Sequence, residues 1–129
     1  MKPIKYITQN ERDKEWGITV CSVGYQQVAP NEEYPPRIHK HEYLFDIETG
    51  RVVNEYQLLY IVEGKGTLKT ASAGSFEIEA GDVFLLFPGE WHTYFPDSET
   101  GWKEYWIGFS GINIDSRIKS GFFSKKAPL

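Results

Sequence analysis

The sequence predicts an all-β fold: one small domain, built as a sandwich or barrel. Short apolar runs rich in Val, Ile, Tyr and Phe recur along the chain, separated by closely spaced turn residues. Aromatics make up 16% of the residues, from Trp 4, Tyr 8 and Phe 8. That favours sheet and suits an aromatic-lined cavity. Helical spacing appears only after Gly111.

At 129 residues the chain makes one domain and can bury a core without staples. It is 40% hydrophobic and 25% charged, a globular balance. The net charge of −4 argues against nucleic-acid binding by this stretch, since phosphate contacts need a basic face. The lone Cys21 excludes an internal disulfide and is compatible with a reducing cytoplasm. Met1 to Asn10 has no apolar signal region, and no apolar run approaches membrane-spanning length.

In chain order, residues 1–15 are mixed and charged and read as an arm with one short strand at most, Ile4 to Thr8. Trp16 to Val28 reads as a strand, with a bend expected at Gly24. Ala29 to Arg37 holds Pro30, Pro35 and Pro36 and reads as a loop. His41 to Ile47 is a strand candidate, turned back at Glu48-Thr49-Gly50. Glu55 to Val62 is the clearest interior strand. Gly64-Lys65-Gly66 reads as a tight hairpin into a strand over Thr67–Thr70. After a turn at Ala71–Gly74, Phe76, Ile78 and Ala80 alternate with Ser75, Glu77 and Glu79, the pattern of a half-buried strand.

Val83 to Phe87 is continuously apolar and reads as a strand buried on both faces. Pro88-Gly89 stops it. Trp91, His92 and Tyr94 bring polar-tipped aromatics to the next strand, as at the mouth of a small barrel. Trp102 to Phe109 closes the set. Beyond Gly111, Ile114 and Ile118 lie four apart with Gly121 just past them, which predicts a short helix. The chain then stops at Ala127-Pro128-Leu129 without a finishing element, as a domain cut from a longer protein would.

Chemistry can be assigned in two ways. His39 and His41 share a face if extended, and His92 could complete a three-His metal site of an isomerase or oxygenase. The plain alternative is two loop histidines after Pro35-Pro36 and one packed near the mouth. Nucleophilic catalysis is disfavoured: there is no G-x-S-x-G elbow. Gly64-Lys65-Gly66 also lacks the spacing of a phosphate loop. The remaining set is Arg51, Gln57, Trp91, His92, Tyr94, Trp102, Glu104 and Trp106. Trp102, Glu104 and Trp106 share a parity, with Tyr105, Ile107 and Phe109 opposite. A buried Glu104 without a donor would cost several kcal/mol. A cavity holding a polar ligand answers that need, with Trp faces to stack on a sugar ring. The other reading makes Trp102–Trp106 an outward face covered by a partner or by the arm.

Three segments carry a specific resemblance: E-Y-Q-L-L-Y-I-V-E-G-K-G (55–66), I-E-A-G-D-V-F-L-L-F-P-G-E-W-H-T-Y (78–94) and G-W-K-E-Y-W-I-G-F-S-G (101–111). Over about residues 40–123 the chain resembles the N-terminal effector-sensing domain of AraC-type transcription regulators. The resemblance implies a cupin-like double-stranded β-barrel (jelly roll) with an N-terminal arm and a short C-terminal helix. Residues 1–15 would be the arm, 16–111 the sensing barrel, and 112–129 the helix and the start of a linker. It implies a cytoplasmic non-enzyme without cofactor. A small polar effector, most plausibly a saccharide, would enter the barrel. DNA would be bound through a later helix-turn-helix region, in a homodimer.

Matched position by position to the sugar contacts of the family, Tyr94 and Trp106 agree in kind. Arg51 corresponds with a small shift in register, and Glu104 stands in place of a histidine. With Gln57 and His92 these residues form the expected ligand-binding set. Metal cupins carry two histidines and a glutamate ahead of a glycine. Registering that glycine on Gly64 puts the glutamate at Gln57 and the histidines near Arg51 and Val53. Only the histidine of the second motif remains, as His92, so the resemblance implies no metal.

Overall fold

The computed structural model describes residues 4–8, 10–32 and 49–129. Within these, the order is β1 (Ile4–Tyr6), α1 (Glu11–Trp16), β2 (Thr19–Val28), β3 (Tyr56–Thr70), β4 (Gly74–Glu79), β5 (Val83–Leu86), β6 (His92–Pro96), β7 (Trp102–Ser110) and α2 (Ile112–Lys119). The strand expected over His41–Ile47, and His39 and His41 themselves, lie outside the described residues.

The long strand β3 organises the molecule. Its first half pairs with β7 on one side and β5 on the other. Its second half pairs with β4 and β6. All pairings are antiparallel, and β2 and β1 extend the β7 side. β3 therefore belongs to two sheets, β1-β2-β7-β3-β5 and β4-β3-β6, which face each other as a cupin-like jelly roll.

The hairpin expected at Gly64-Lys65-Gly66 does not form; β3 runs straight through it. The register against β7 slips between Ile61 and Glu63, and Gly64 takes φ 88. This is a bulge that bends the strand from one sheet to the other. Turn and bulge share the same glycine signal, and only pairing partners on both sides separate them.

The two inner faces meet in a core of Val28, Leu59, Ile61, Leu68, Ile78, Phe84, Leu86, Tyr94 and Trp102. The outer face carries a second cluster of Tyr56, Leu85, Phe87 and Ile114, with Phe109 and Ile118 against it. β5 serves both: Phe84 and Leu86 point in, Leu85 points out. Its first residue Val83 is exposed, so the expected two-sided burial holds only for the rest of the strand. α2 buries Ile114, as its spacing predicts, and Gly121 ends it: Gly121 N–H donates to Ile118 O at 3.0 Å and Phe122 N–H to Arg117 O at 3.0 Å. Those two bonds are a Schellman closure.

Two local expectations fail near the N-terminus. β2 begins at Thr19, and its irregularity falls between Val20 and Ser22 rather than at Gly24. Glu11–Trp16 is helical, where the charged run suggested no element. A helix that short has no intrinsic stability. It is held at its end by Gly17, whose N–H bonds Lys14 O at 3.1 Å and whose carbonyl takes the Asn113 N–H at 3.0 Å.

Candidate functional site

Strand parity selects the inner wall. On β7, Trp102 and Glu104 are buried and Trp106 is half-buried, whereas Tyr105 is exposed. The face expected to carry the aromatic–carboxylate stripe is thus the inner one. Across the ladder, Glu104 stands opposite Gln26 on β2 and Ile61 on β3, and Trp106 opposite Gly24 and Leu59. Gln26 is fully buried, and Glu104 is 2% exposed.

Sequence reasoning missed Gln26. Along the middle of β2, Val23 and Tyr25 lie on the opposite parity from Ser22, Gly24 and Gln26, and only Val28 at the strand's end marks the inner parity. Parity read from the middle of the strand points the wrong way. The signal that could have found Gln26 is cross-strand: it is the partner of the residue already suspected, Glu104.

A second polar group converges on Arg51. This residue forms an isolated two-residue bridge with His92, with Arg51 N–H to His92 O at 2.9 Å and the reciprocal bond at 3.0 Å. Its side chain then turns inward. Nε donates to His92 Nε2 at 3.0 Å, and Nη2 donates to Gln57 Oε1 at 2.9 Å and Tyr94 Oη at 3.1 Å. The guanidinium also lies 5.7 Å from the Tyr94 ring centroid, within cation–π range. Four of the six expected residues, Arg51, Gln57, His92 and Tyr94, are therefore one hydrogen-bonded unit. Glu104 and Trp106 sit on the neighbouring β7 wall.

His92 has no nitrogen to spare. Arginine only donates, so Nε2 must accept, and the proton sits on Nδ1, 3.3 Å from Glu90 O. Burial, reinforced by the charge of Arg51, pushes its pKa down to about 3 despite the Glu90 carbonyl. A neutral imidazole with both nitrogens engaged cannot work as a general base near neutral pH. Among the described residues, no group of three or more His, Cys, Asp and Glu side chains is placed to hold a metal.

The other two members of the sequence-derived set have structural positions. Trp102 stacks on Tyr94 at 6.3 Å in the core. Trp91 donates from Nε1 to Thr49 O at 2.8 Å and covers Gly50, pinning the turn that delivers Arg51. Glu90 accepts the Ser72 N–H at 2.9 Å. The P-G-E-W-H turn is thus a clamp that sets His92. A groove of about 580 Å³ lined by Lys65, Thr67, Glu77, Glu79, Phe95 and Asp97 lies on the outer face of β4-β3-β6, away from these groups.

The interior is thus divided. Leu59, Ile61, Leu68, Ile78, Phe84 and Leu86 pack one part of it, and Gln26, Gln57, His92 and Glu104 are buried beside the Trp106 indole in the other. No helix among the described residues is long and apolar enough to cross a membrane.

Comparison with known proteins finds relatives over most of the chain. The raffinose operon transcriptional regulatory protein RafR of Pediococcus pentosaceus is 38% identical over 118 residues, covering 91% of this chain and 38% of that protein. The lactose operon transcription activator of Staphylococcus xylosus is 36% identical over 63 residues, 48% of this chain and 22% of that protein. The chain thus spans well under half the length of these relatives. Among solved structures, the Schizosaccharomyces pombe Cnp3 cupin domain superposes with TM-score 0.51 at 11% identity, covering 98% of this chain and 75% of that one, a likeness of fold. Residues 38–129 match the model of the AraC-like ligand binding domain, and the chain belongs to that family.

Proposed function

We propose that this chain is the sensing domain of a sugar-responsive transcription regulator, and that a neutral saccharide binds against the polar part of the barrel interior. The observation that carries the reading is the common inward direction of Tyr94, Glu104 and Trp106 beside Gln26 and the Arg51 network. Trp106 offers a face for the C–H side of a pyranose, and Glu104 and Gln26 offer directional bonds to hydroxyls. Raffinose and lactose, the sugars named in the operons of two relatives, both end in a galactosyl unit, so galactosides are the first ligands to try.

In the full-length protein, residues 1–15 serve as an arm, 16–111 as the sensor, and 112–129 as the helix leading onward. DNA binding by a helix-turn-helix region, homodimerisation and a cytoplasmic setting complete the reading. Effector binding acts as a population shift, limited by its differential affinity for two states. Calorimetric titration with raffinose, lactose, galactose and unrelated sugars tests it. Saturable heat with a subset supports the sensor; no heat with any saccharide removes the saccharide reading.

A further inference from the structure

We propose that the guanidinium of Arg51 is a built-in cation. Its Nε and Nη2 engage the lone pairs of His92 Nε2, Gln57 Oε1 and Tyr94 Oη, with His92 as the residue that positions it, so that the chain's own charge stands where a metal ion would otherwise be drawn. The inference is independent of which effector enters the barrel.

Three lone-pair atoms from two strands approach one group at 3.0, 2.9 and 3.1 Å. An imidazole nitrogen, an amide oxygen and a phenol oxygen gathered around one guanidinium are lone-pair donors that a divalent ion could also draw on. Two of them, Gln57 and His92, are the positions that register on metal-cupin ligands. The two remaining matched positions are near Arg51 and Val53; valine offers no lone pair, and at Arg51 the chain supplies the positive charge itself. A guanidinium is a cationic donor with no lone pair to offer a metal. A metal ion at the same point would meet a fixed like charge and find the lone pairs already engaged.

The arrangement is built in at several levels. Arg51 and His92 are joined by two backbone bonds as well as by their side chains. The Trp91 indole holds the Thr49–Gly50 turn just before Arg51. His92 is fully buried, and Glu90 O sits at its Nδ1, which leaves Nε2 as an acceptor for Arg51. His92 is therefore a positioning residue and touches neither ligand nor metal.

The test uses the 129-residue chain labelled with ¹⁵N. Long-range ¹H–¹⁵N correlation reads the His92 tautomer directly. The expected result is a neutral ring protonated at Nδ1, with signals unbroadened by one equivalent of Ni²⁺ or Mn²⁺. In Arg51→Met the positive neighbour is gone and His92 Nε2 is released, so Ni²⁺ now broadens its ring. An Nε2-protonated ring in the wild type, or broadening of its His92 signals by one equivalent of metal, overturns the proposal. So does a folded Arg51→Met whose His92 ring Ni²⁺ leaves unbroadened. The wild-type tautomer and metal response decide alone if that variant does not fold.

Discussion

The six-membered ring of Trp106 occupies the space that a side chain at Gly24, its cross-strand partner, would need. The absence of a Cβ on β2 is what lets the indole lie along the inner wall. Gly24→Ala forces the ring to move. Overpacking of this kind costs about 1–3 kcal/mol, read by urea unfolding, together with a change in tryptophan fluorescence. If the proposed site is right, saccharide binding falls as well. Unchanged stability and fluorescence would show that the indole does not rest on Gly24.

Glu104 is a buried acidic side chain on the inner wall. Glu104→Gln keeps its shape and removes its charge. Hydrogen bonds to charged groups are worth about 1.5–3 kcal/mol, so saccharide affinity falls about tenfold or more by calorimetry. Equal affinity in the variant would take Glu104 out of the site.

His92 makes stability depend on pH. Its pKa is about 3 in the fold against about 6.5 in the unfolded chain. Below pH 6.5 the unfolded state binds the extra proton, so stability is present above that value and lost as pH falls toward 3. The slope approaches about 1.4 kcal/mol per pH unit, or roughly 2 kcal/mol between pH 6.5 and 5. Urea midpoints of the wild type and His92→Gln, compared across this range, isolate the effect. Parallel pH profiles for the two proteins would contradict it.

On the outer face, Tyr56 Oη donates to Asp115 Oδ1 at 2.9 Å and ties the sheet to α2. Burial, with Asp115 adding to it, pushes the phenol pKa up to about 12. Tyr56→Phe costs about 1 kcal/mol. Ile114→Ala leaves a cavity against Tyr56, Leu85 and Phe87 and costs about 2–4 kcal/mol. Chemical unfolding ranks the two. A neutral Ile114→Ala would mean that α2 does not contribute to the fold.

Local pattern carried much of this protein. Alternation in the last strand placed Trp102, Glu104 and Trp106 on one face, and the Ile114–Ile118 spacing marked α2. Those signals are short-range, because strand and helix periodicity are properties of neighbouring residues. The cupin-like barrel was legible because glycine turns and apolar strands recur in a family-specific order.

Pairing partners decided what periodicity could not. Gly64 and Gly66 look the same in a hairpin and in a bulge; the β7 and β4 neighbours of β3 make them a bulge. Glu11–Trp16 carries no helix signal of its own, and its end is tied to α2 through Gly17. Gln26 escaped notice because its own strand shows Val23 and Tyr25 as the apolar face, and a partly polar interior inverts that rule. Arg51 and His92 lie 41 positions apart, and no local pattern joins them. The amino-acid order by itself determined which residues could form strands and which parity they shared. Only the closed barrel decided which face was inside and which lone pairs met the guanidinium, since those depend on contacts between residues distant in the chain.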